Sequence, residues 1–423
     1  MTAMTSGVSL SQPQRWRAVV AASIGNALEW FDFAVYGFFA VAMARLFFPA
    51  ANETVSILVA LATFGVTFVL RPLGAIVIGT FADRHGRKSA FMLTIVLMMT
   101  GTAIIALAPT YSSIGILAPI LIVVARMIQG FSAGGEFGSA TAFLAEQNPQ
   151  RRGFFASWQF ASQGLTTILA TAFGATLAST LTTAQMDAWG WRIPFIFGLL
   201  IGPVAYYIRR HVDETIEFQS TPASKTPLRE AFSDVKLRML ISLGAVVLVT
   251  VATYTTLFMP TYATRQLGLP PYSGFLAGLL TGSIQLVLIP IVGALSDRIG
   301  RLPIAFVSAV AILLSIYPMF AWLTATPSIQ TLLIVQAIIG VLTAGYMGGL
   351  PALMSELFPT RVRTTGLSIS YSFGVAIFGG FAPFIIAWLI EITGSKLAPS
   401  FYLMLAAVIS LVALGAARRL GYR

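Results

Sequence analysis

Three polar side chains interrupt the first apolar segment of the chain and could bind a proton or a polar substrate. Residues 19–48 are apolar and long enough to cross a bilayer, for which a helix needs about 20 residues. Asn26, Glu29 and Asp32 lie at the centre of this segment, and their spacing of three places them on nearly one helix face. A carboxylate at the bilayer centre costs about 3 kcal/mol, so this face must meet protein or water. We predict that it lines a pathway; the alternative is a buried structural pair that a neighbouring arginine satisfies.

Proton transfer is the chemistry that the two carboxylates favour. Their mutual repulsion and their burial in a low-dielectric site both favour the protonated form of one of them. Such a group can take up a proton from one side of the membrane and release it on the other. We predict that Asp32 carries the proton and that Glu29 supports it, with Glu136 in the fourth apolar run as a further candidate.

Two arginines also lie inside apolar runs. Arg71 precedes Asp83 by about 12 residues, or about 18 Å along a helix, which places it near the membrane midplane. Arg126 lies at a similar depth in the fourth apolar run. A guanidinium keeps its charge and binds a carboxylate through two parallel hydrogen bonds, so the two residues form a candidate anion site. The alternative is that they only neutralise the interior carboxylates.

Neutral hydrogen-bonding residues accompany these charges. The fifth apolar run carries a polar stripe at i, i+3, i+4 and i+7, which therefore faces inward: Gln159, Ser162, Gln163 and Thr166. We predict that Asn26, Gln159 and Gln163 supply hydrogen bonds to the substrate. All interior charge lies in the first half of the chain, so proton and substrate binding are expected to concentrate there. In the second half, a single polar residue in a span is typical of a helix–helix contact worth about 0.6 kcal/mol: Thr253, Tyr254, Gln285, Gln336, Tyr346, Ser368, Tyr371 and Ser372.

The composition is that of an integral membrane protein. Hydrophobic residues make up 57% of the 423 residues and charged residues only 10%, against about 25% in a soluble domain. The net charge of +11 does not indicate a nucleic-acid partner, because the basic residues lie in short loops between apolar runs. The short polar N-terminal arm has no small-residue cleavage pattern, so we expect no removable signal peptide.

The residue types also argue against an enzyme. A membrane enzyme would need a nucleophile–base pair or a metal cluster. The chain has no cysteine, and His85 and His211 both lie in polar loops. It also lacks the Gly-x-x-x-x-Gly-Lys-[Ser/Thr] loop that cradles ATP phosphates. We therefore expect no enzymatic activity, no metal and no cofactor.

Twelve apolar runs follow one another in two sets of six. The longest polar stretch, 210–236, separates the two sets. We predict an all-α membrane protein with about 12 transmembrane helices in two six-helix bundles, 1–210 and 237–423, joined by a loop at 211–236. Most lysines and arginines fall in the loops on one side, while the other side keeps only Arg45, Arg192, Arg265 and Lys396. This bias predicts that both termini and the long loop are cytoplasmic.

The two halves repeat each other. Residues 79–88 (GTFADRHGRK) and 293–302 (GALSDRIGRL) both fit Gly-x-x-x-Asp-Arg-x-Gly-Arg at the same point of their half, and a Glu-x-x-Pro-x-Arg motif recurs at 146–151 and 356–361. One copy could be a charged tight turn, but two in register are typical of secondary transporters built from internal repeats. We predict that the motif residues form a cytoplasmic gate between the halves: Asp83, Arg84, Arg87, Glu146, Asp297, Arg298, Arg301 and Glu356.

The repeated loop resembles the signature of the major facilitator superfamily, and Arg126-Met127-Ile128-Gln129-Gly130 resembles that superfamily's fourth-helix motif. Three further stretches are similar to its metabolite:proton symporter family: GNALEWFDFAVYG (25–37), FVLRPLGA (68–75) and WGWRIPF (189–195). That family includes carriers of citrate and tricarballylate, α-ketoglutarate, shikimate, and proline or betaine. Residues 156–164 and 371–394 are most similar to the citrate and tricarballylate members. The resemblance covers nearly the whole chain.

The resemblance implies a major facilitator fold and proton-coupled import of a tricarboxylate, such as citrate or tricarballylate, by alternating access. It adds Tyr371, which lies in the citrate-like stretch, as a substrate contact in the second half. The Arg-Pro-Leu-Gly element of Arg71 looks common to the family, zwitterion carriers included, so it supports a central site without indicating an anion. The alternatives are a dicarboxylate such as α-ketoglutarate, shikimate, or a zwitterion. Osmosensing members carry a long coiled-coil tail, and none is seen after Arg423, which argues against the zwitterion. We expect a monomer in the bacterial inner membrane, coupled to the proton with Na⁺ as the alternative ion.

Overall fold

The computed structural model describes residues 12–85, 87–210 and 235–422, which form helices and short connections without a β-strand. The first half of the described chain contains eleven helices: α1 (Gln12–Phe38), α2 (Ala40–Phe47), α3 (Glu53–Val69), α4 (Arg71–His85), α5 (Arg87–Leu107), α6 (Tyr111–Ile114), α7 (Leu117–Ser132), α8 (Glu136–Glu146), α9 (Arg152–Thr180), α10 (Thr183–Gln185) and α11 (Arg192–Arg210). The second half contains seven: α12 (Lys236–Arg265), α13 (Pro271–Ile299), α14 (Arg301–Ala325), α15 (Ile329–Glu356), α16 (Arg363–Gly374), α17 (Ala382–Thr393) and α18 (Ala398–Arg419).

Every apolar run that the sequence predicts to span the membrane is helical. Within the described residues, eight helical segments are long and apolar enough to cross a bilayer, and a ninth is added when the bent pair α1–α2 is taken as one span. The chain is thus an all-α, multi-pass membrane protein, as its composition predicts. The long loop at 211–236 lies mostly outside the described residues, so the boundary between the bundles stays a prediction.

Several spans are broken near the candidate site residues. The second span is interrupted at Leu70, between α3 and α4, because Pro72, the second residue of α4, lacks the N–H that would continue the helix of α3. The fourth span tightens into a 3₁₀ turn at Ala133–Gly135, so that Glu136 is the first residue of α8. A carboxylate at that position is stabilised by the positive end of the helix dipole.

Glycines bring the second and fourth spans into backbone contact. A side chain at Gly130 would collide with the carbonyl of Thr67, and one at Gly134 would collide with the carbonyl of Arg71. Because these obstacles are backbone atoms, nothing can move aside for a methyl group. The close approach fixes the position of Arg71 on α4 relative to Arg126 on α7.

The two halves meet along α9 and α13, the most extensive helix pair in the described chain. Gly164 of α9 faces Gly282 of α13, where an added Cβ would lie 2.9 Å from the opposite backbone oxygen. Small residues at such crossings let membrane helices approach closely. The fifth span therefore carries its polar stripe along the junction of the two halves.

Candidate functional site

Arg71 is buried in a cage of aromatic rings. Its guanidinium carbon lies 5.0 Å from the ring centre of Trp30, 4.9 Å from that of Phe33 and 4.6 Å from that of Phe68. These distances are typical of cation–π contacts. Only 3% of the residue is exposed, yet its Nε and one terminal nitrogen have no hydrogen-bond partner in the described structure.

Arg126 occupies the other side of the same cage. Its guanidinium carbon lies 4.5 Å from the ring centre of Tyr36, 5.3 Å from that of Phe64 and 5.2 Å from that of Phe33, the ring it shares with Arg71. The residue is fully buried. One terminal nitrogen donates to Gln129, whereas Nε and the other terminal nitrogen have no partner. Two cations with free N–H donors thus lie within reach of one small polyanion.

Tyr254 closes the cage from the second half of the chain. Its ring centre lies 5.2 Å from Phe68, 5.7 Å from Phe64 and 6.4 Å from Trp30, and its buried hydroxyl has no hydrogen-bond partner. From the sequence, Tyr254 was predicted to be a helix contact and not a site residue. Only the presence of a tyrosine hydroxyl within an apolar span could have pointed to it, because the spacing of residues in α12 does not predict which face of the helix meets the arginines.

Tyr371 of α16 lies beside these residues, and its contact with substrate, which the resemblance implies, stays a prediction. It is buried, it stacks on Phe137 with ring centres 3.4 Å apart, and the side chain of Gln163 lies beside its hydroxyl. Arg71 and Glu29 both lie close enough to act on it electrostatically. The structure therefore brings together four of the predicted site residues from the two halves: Arg71, Arg126, Gln163 and Tyr371.

Asn26 and Gln159 contact each other. The Asn26 amide donates to the Gln159 carbonyl at 3.0 Å and to the Ser162 hydroxyl at 2.7 Å, and the Gln159 amide donates back to Asn26 at 3.1 Å. These bonds join α1 to α9. Their predicted contact with substrate stays a prediction, and in this conformation both side chains serve mainly to hold two helices.

Asp32 points into the first half rather than toward the second. The Thr102 hydroxyl of α5 donates to one carboxylate oxygen, and Gly198 of α11 leaves room for the other, which has no partner. Glu29, three residues earlier, lies close enough to Tyr371 to act on it electrostatically. The two carboxylates thus have different neighbours, although their spacing places them on nearly one face. Glu136 is also buried, beside the Phe137 that stacks on Tyr371.

Residues of the predicted cytoplasmic gate make two kinds of contact between the halves. Asp297 of α13 accepts hydrogen bonds from the first backbone amides of α9, at 2.7 Å from Gly153 and 3.0 Å from Phe154. A carboxylate at a helix N-terminus satisfies amides that have no partner within the helix. Glu146 pairs with Arg363 at 3.1 Å, again across the halves.

The other gate residues have varied surroundings. Arg301 pairs with Asp297 at 2.9 Å and with Glu356 at 3.2 Å, both within the second half. Arg298 is exposed, and the side chains of Asp83, Arg84 and Arg87 lie outside the described residues. Arg363 was not among the predicted gate residues, although the sequence places it in a basic loop that follows the second Glu-x-x-Pro-x-Arg motif.

The opposite end of the molecule is bridged as well. Arg265, at the end of α12, pairs with Glu53, at the start of α3. This ion pair between the halves was not predicted. Contacts across the halves are thus present at both ends of the molecule, and the cage residues lie buried between them.

Comparison with known proteins shows which family the chain belongs to. Residues 18–236 match the family model for sugar (and other) transporters, and residues 276–420 match that for the major facilitator superfamily. A citrate-proton symporter of Salmonella typhi is 38% identical, over 94% of this chain and 92% of its own length. One from Klebsiella pneumoniae is 36% identical over 94% and 90%. A proline/betaine transporter of Escherichia coli K12 is 34% identical over 94% and 82%.

Solved structures show the same architecture. The crystal structure of a D-xylose-proton symporter superimposes with a TM-score of 0.74, at 16% identity, over 93% of this chain and 97% of that one. A proton:xylose symporter bound to 6-bromo-6-deoxy-D-glucose gives 0.78, at 15% identity, over 97% and 96%. At such low sequence identity this similarity supports only a shared fold, which consists of two bundles of transmembrane helices.

Proposed function

The chain belongs to the major facilitator superfamily, and from this premise we propose that it imports citrate or a similar tricarboxylate together with protons. Two relatives that match it along almost their whole length are citrate-proton symporters. Import proceeds by alternating access, in which the inner and outer contacts between the halves open in turn. The bias of lysine and arginine supports cytoplasmic termini in a bacterial inner membrane.

The observation that carries this proposal is the pair of buried guanidiniums with unused N–H donors. Burying a charge costs several kcal/mol unless it is paired, and each unmet donor costs about 1–3 kcal/mol. The aromatic rings around Arg71 and Arg126 offset part of the charge but accept none of these hydrogen bonds in the plane of the guanidinium. A polycarboxylate between the two residues supplies both the opposite charge and the missing acceptors.

Neutral groups around the arginines favour a substrate with additional oxygen atoms. Tyr254 has a free hydroxyl, and Gln163 has a free amide nitrogen beside Tyr371. The hydroxyl and third carboxylate of citrate give these groups partners that a dicarboxylate lacks. Leaving them unpaired costs about 1–3 kcal/mol, so citrate is favoured over α-ketoglutarate by roughly 10- to 100-fold.

A zwitterion such as betaine is the second candidate, because proline/betaine transporters are among the relatives. Aromatic cages do bind quaternary ammonium groups. Here, however, the rings of Trp30, Phe33 and Phe68 already face the guanidinium of Arg71, and Phe64 and Tyr36 face that of Arg126. A second cation would be repelled from this cage, which favours the anion.

Proton coupling suits such a substrate. A polyanion enters against an inside-negative potential at about 2.3 kcal/mol per charge per 100 mV, and co-transported protons offset that cost. Asp32, buried on the first span, is the proposed carrier. An Asp32→Asn variant should exchange substrate but no longer accumulate it.

Direct binding to purified protein tests the proposal. Calorimetry should rank citrate and tricarballylate above α-ketoglutarate, shikimate and betaine, and proteoliposomes with an imposed pH gradient should accumulate citrate. Tighter binding of α-ketoglutarate or betaine would overturn the substrate assignment. Accumulation driven by a sodium gradient, and not by a pH gradient, would overturn the coupling ion.

A further inference from the structure

A continuous chain of hydrogen bonds connects Arg126 to Asp32. The Arg126 Nη1 donates to the Gln129 Oε1 at 2.8 Å, and the Gln129 Nε2 donates to the Thr102 Oγ1 at 3.0 Å. The Thr102 hydroxyl in turn donates to Asp32. All four side chains are buried, with at most 5% exposed. Among the described side chains no direct ion pair joins Asp32 to Arg126, so the two charges communicate through neutral groups.

The chain has a direction. Every donor points from the guanidinium toward the carboxylate, so the bond dipoles align between a cation and an anion and strengthen one another. The Thr102 hydroxyl has a single proton but two acceptors within reach, since the carbonyl of Met98 lies 3.0 Å away on the same helix. Thr102 can therefore turn from Asp32 to Met98 without any movement of the backbone.

We propose that Thr102 and Gln129 are positioning residues that report the protonation of Asp32 to Arg126 and thereby make anion binding depend on proton binding. The inference rests on the proposed function, because the anion is the substrate of that site. When Asp32 is ionised, the chain holds Arg126 to a carboxylate within the protein. When Asp32 is protonated, its own O–H donates to the Thr102 hydroxyl, and that hydroxyl turns to donate to the Met98 carbonyl. The chain of hydrogen bonds from Arg126 then no longer ends at a negative charge.

The consequence is reciprocal coupling of the kind a symporter needs. With Asp32 neutral, the charge of Arg126 is no longer offset from inside the bundle, and its free N–H groups bind a carboxylate more tightly. By linkage, substrate at Arg126 favours the protonated form of Asp32 by the same factor. The fully loaded state, with proton and anion both bound, is thus favoured over either half-loaded state.

The surroundings of Asp32 leave few other groups to transmit such a signal. Arg126 on α7 is the charged residue that acts on it, and Glu29 lies one turn away on α1. Helices α5 and α11 present Thr102 and Gly198 to the carboxylate, and neither titrates. Arg126 in turn faces further titratable groups, all of them buried: Tyr36, Arg71 and Tyr254.

Glycines make the room that this network occupies. A Cβ at Gly198 would lie 2.5 Å from the free carboxylate oxygen of Asp32, and one at Gly101 would lie 2.5 Å from the Cγ of Gln129. Any larger residue at either position would displace a member of the chain. Helices α5 and α11 thus leave space for Gln129 and for Asp32, respectively.

The test compares nearly isosteric variants that break the chain and keep both arginines: Thr102→Val, Gln129→Met and, as reference, Asp32→Asn. Thr171→Val is the matched control, because Thr171 is also buried and its hydroxyl bonds only to carbonyls of its own helix. Citrate affinity is measured at two pH values on either side of neutrality. The titration of citrate itself contributes equally to every variant.

The measured quantity is the factor by which citrate affinity increases from the higher to the lower pH. In the unmodified protein and in Thr171→Val this factor should be about ten times larger than in Asp32→Asn, which lies within the roughly 5- to 150-fold range of coupling between two sites. Thr102→Val and Gln129→Met should lose most of this excess, and Thr102→Ser should retain it. Thr102→Val should add nothing in an Asp32→Asn background. An unchanged excess in both variants, or an equal effect of Thr102→Val in the two backgrounds, would overturn the proposal.

A substrate-free measurement separates this inference from the proposed function. Infrared difference spectra of the unmodified protein against Asp32→Asn isolate the carbonyl band of protonated Asp32. Gln129→Met removes the support of the ionised form, so the band should persist to higher pH although Gln129 does not touch Asp32. If the band does not change, the relay is wrong even where citrate binds. If citrate and tricarballylate fail to bind while the band shifts, the substrate assignment is wrong and the relay stands.

Discussion

Phe33 shows how the two arginines are kept in one site. Its ring faces both guanidiniums, at 4.9 Å from Arg71 and 5.2 Å from Arg126, so a single residue of α1 sets the space between them. Aromatic rings surround each cation, and each keeps its Nε and one terminal nitrogen without a hydrogen-bond partner, so these N–H groups stay available. This arrangement suits a transporter, which must bind an anion and also release it.

Tyr254→Phe isolates the hydroxyl that closes the cage. The ring contacts with Phe64, Phe68 and Trp30 remain, so thermal stability should change little, while citrate binding should weaken by about 5- to 10-fold, or about 1 kcal/mol, for one lost hydrogen bond. Binding calorimetry and thermal unfolding measure the two effects. Tyr317→Phe, at a residue that is 42% exposed, is the control. Full affinity in Tyr254→Phe would remove this residue from the site.

Arg126→Lys keeps the charge but removes the planar fork. A lysine ammonium cannot make two parallel bonds to a carboxylate or stack flat on Tyr36, so affinity should fall by more than about tenfold. The exposed Arg418→Lys should bind citrate normally. Affinity within about twofold of the unmodified protein in Arg126→Lys would show that charge alone suffices.

Helix contacts made by glycine place these side chains. The second span presses its backbone against Gly130 and Gly134 of the fourth, and the break at Pro72 lets Arg71 begin a new helix at this contact. Because the obstacles are carbonyl groups, the two spans can approach only where no side chain stands between them. The helices that carry the two arginines therefore lie this close together because Gly130 and Gly134 have no side chains.

Gly130→Ala tests this contact. Its methyl group would collide with the Thr67 carbonyl, so α3 and α7 should separate, with a loss of about 1–3 kcal/mol in stability and weaker citrate binding. Gly415→Ala on α18 is the matched control, because nothing lies within 4 Å of the added Cβ. Alanine there should stabilise the helix slightly. Equal thermal unfolding temperatures for the two variants would contradict the packing argument.

For the molecule as a whole, the contacts that close its two ends differ in burial. Glu146 and Arg363 at the predicted inner end are 11% and 9% exposed, whereas Glu53 and Arg265 at the other end are 55% and 29% exposed. Exposed ion pairs contribute about 0–1 kcal/mol, while breaking a buried pair costs several kcal/mol. The inner contact should therefore dominate the balance between the two open states.

Glu146→Gln should shift the protein toward the state that is open at the inner end, and Glu53→Gln should have a smaller effect at the outer end. The chain has no cysteine, so Ser372→Cys, beside Tyr371, provides a single buried label. Reaction with a membrane-impermeant thiol reagent in inside-out and right-side-out vesicles measures access from each side. Equal labelling rates with and without Glu146→Gln would show that this pair does not hold the halves together.

The sequence was enough to predict the helices, the repeat, the interior charges and the family. A bilayer accepts only segments whose backbone is satisfied internally, so long apolar runs must be helices, and a charge inside one must have a function or a partner. These rules act on each segment separately and need no knowledge of its neighbours. Arg71, Arg126 and Gln163 were found in this way, Tyr371 came from the family resemblance, and the structure brings them together.

The tertiary structure decided what each side chain faces. Residues three apart on a helix differ by about 60° in direction, so Asp32 can meet Thr102 and Gly198 while Glu29 acts electrostatically on Tyr371. Likewise Tyr254 and Arg363 gained their roles only from the opposite half of the molecule. The rotation of each helix depends on which small residues meet across the halves. Such a pairing involves two segments that are far apart in the sequence, so the pattern of one segment cannot predict it.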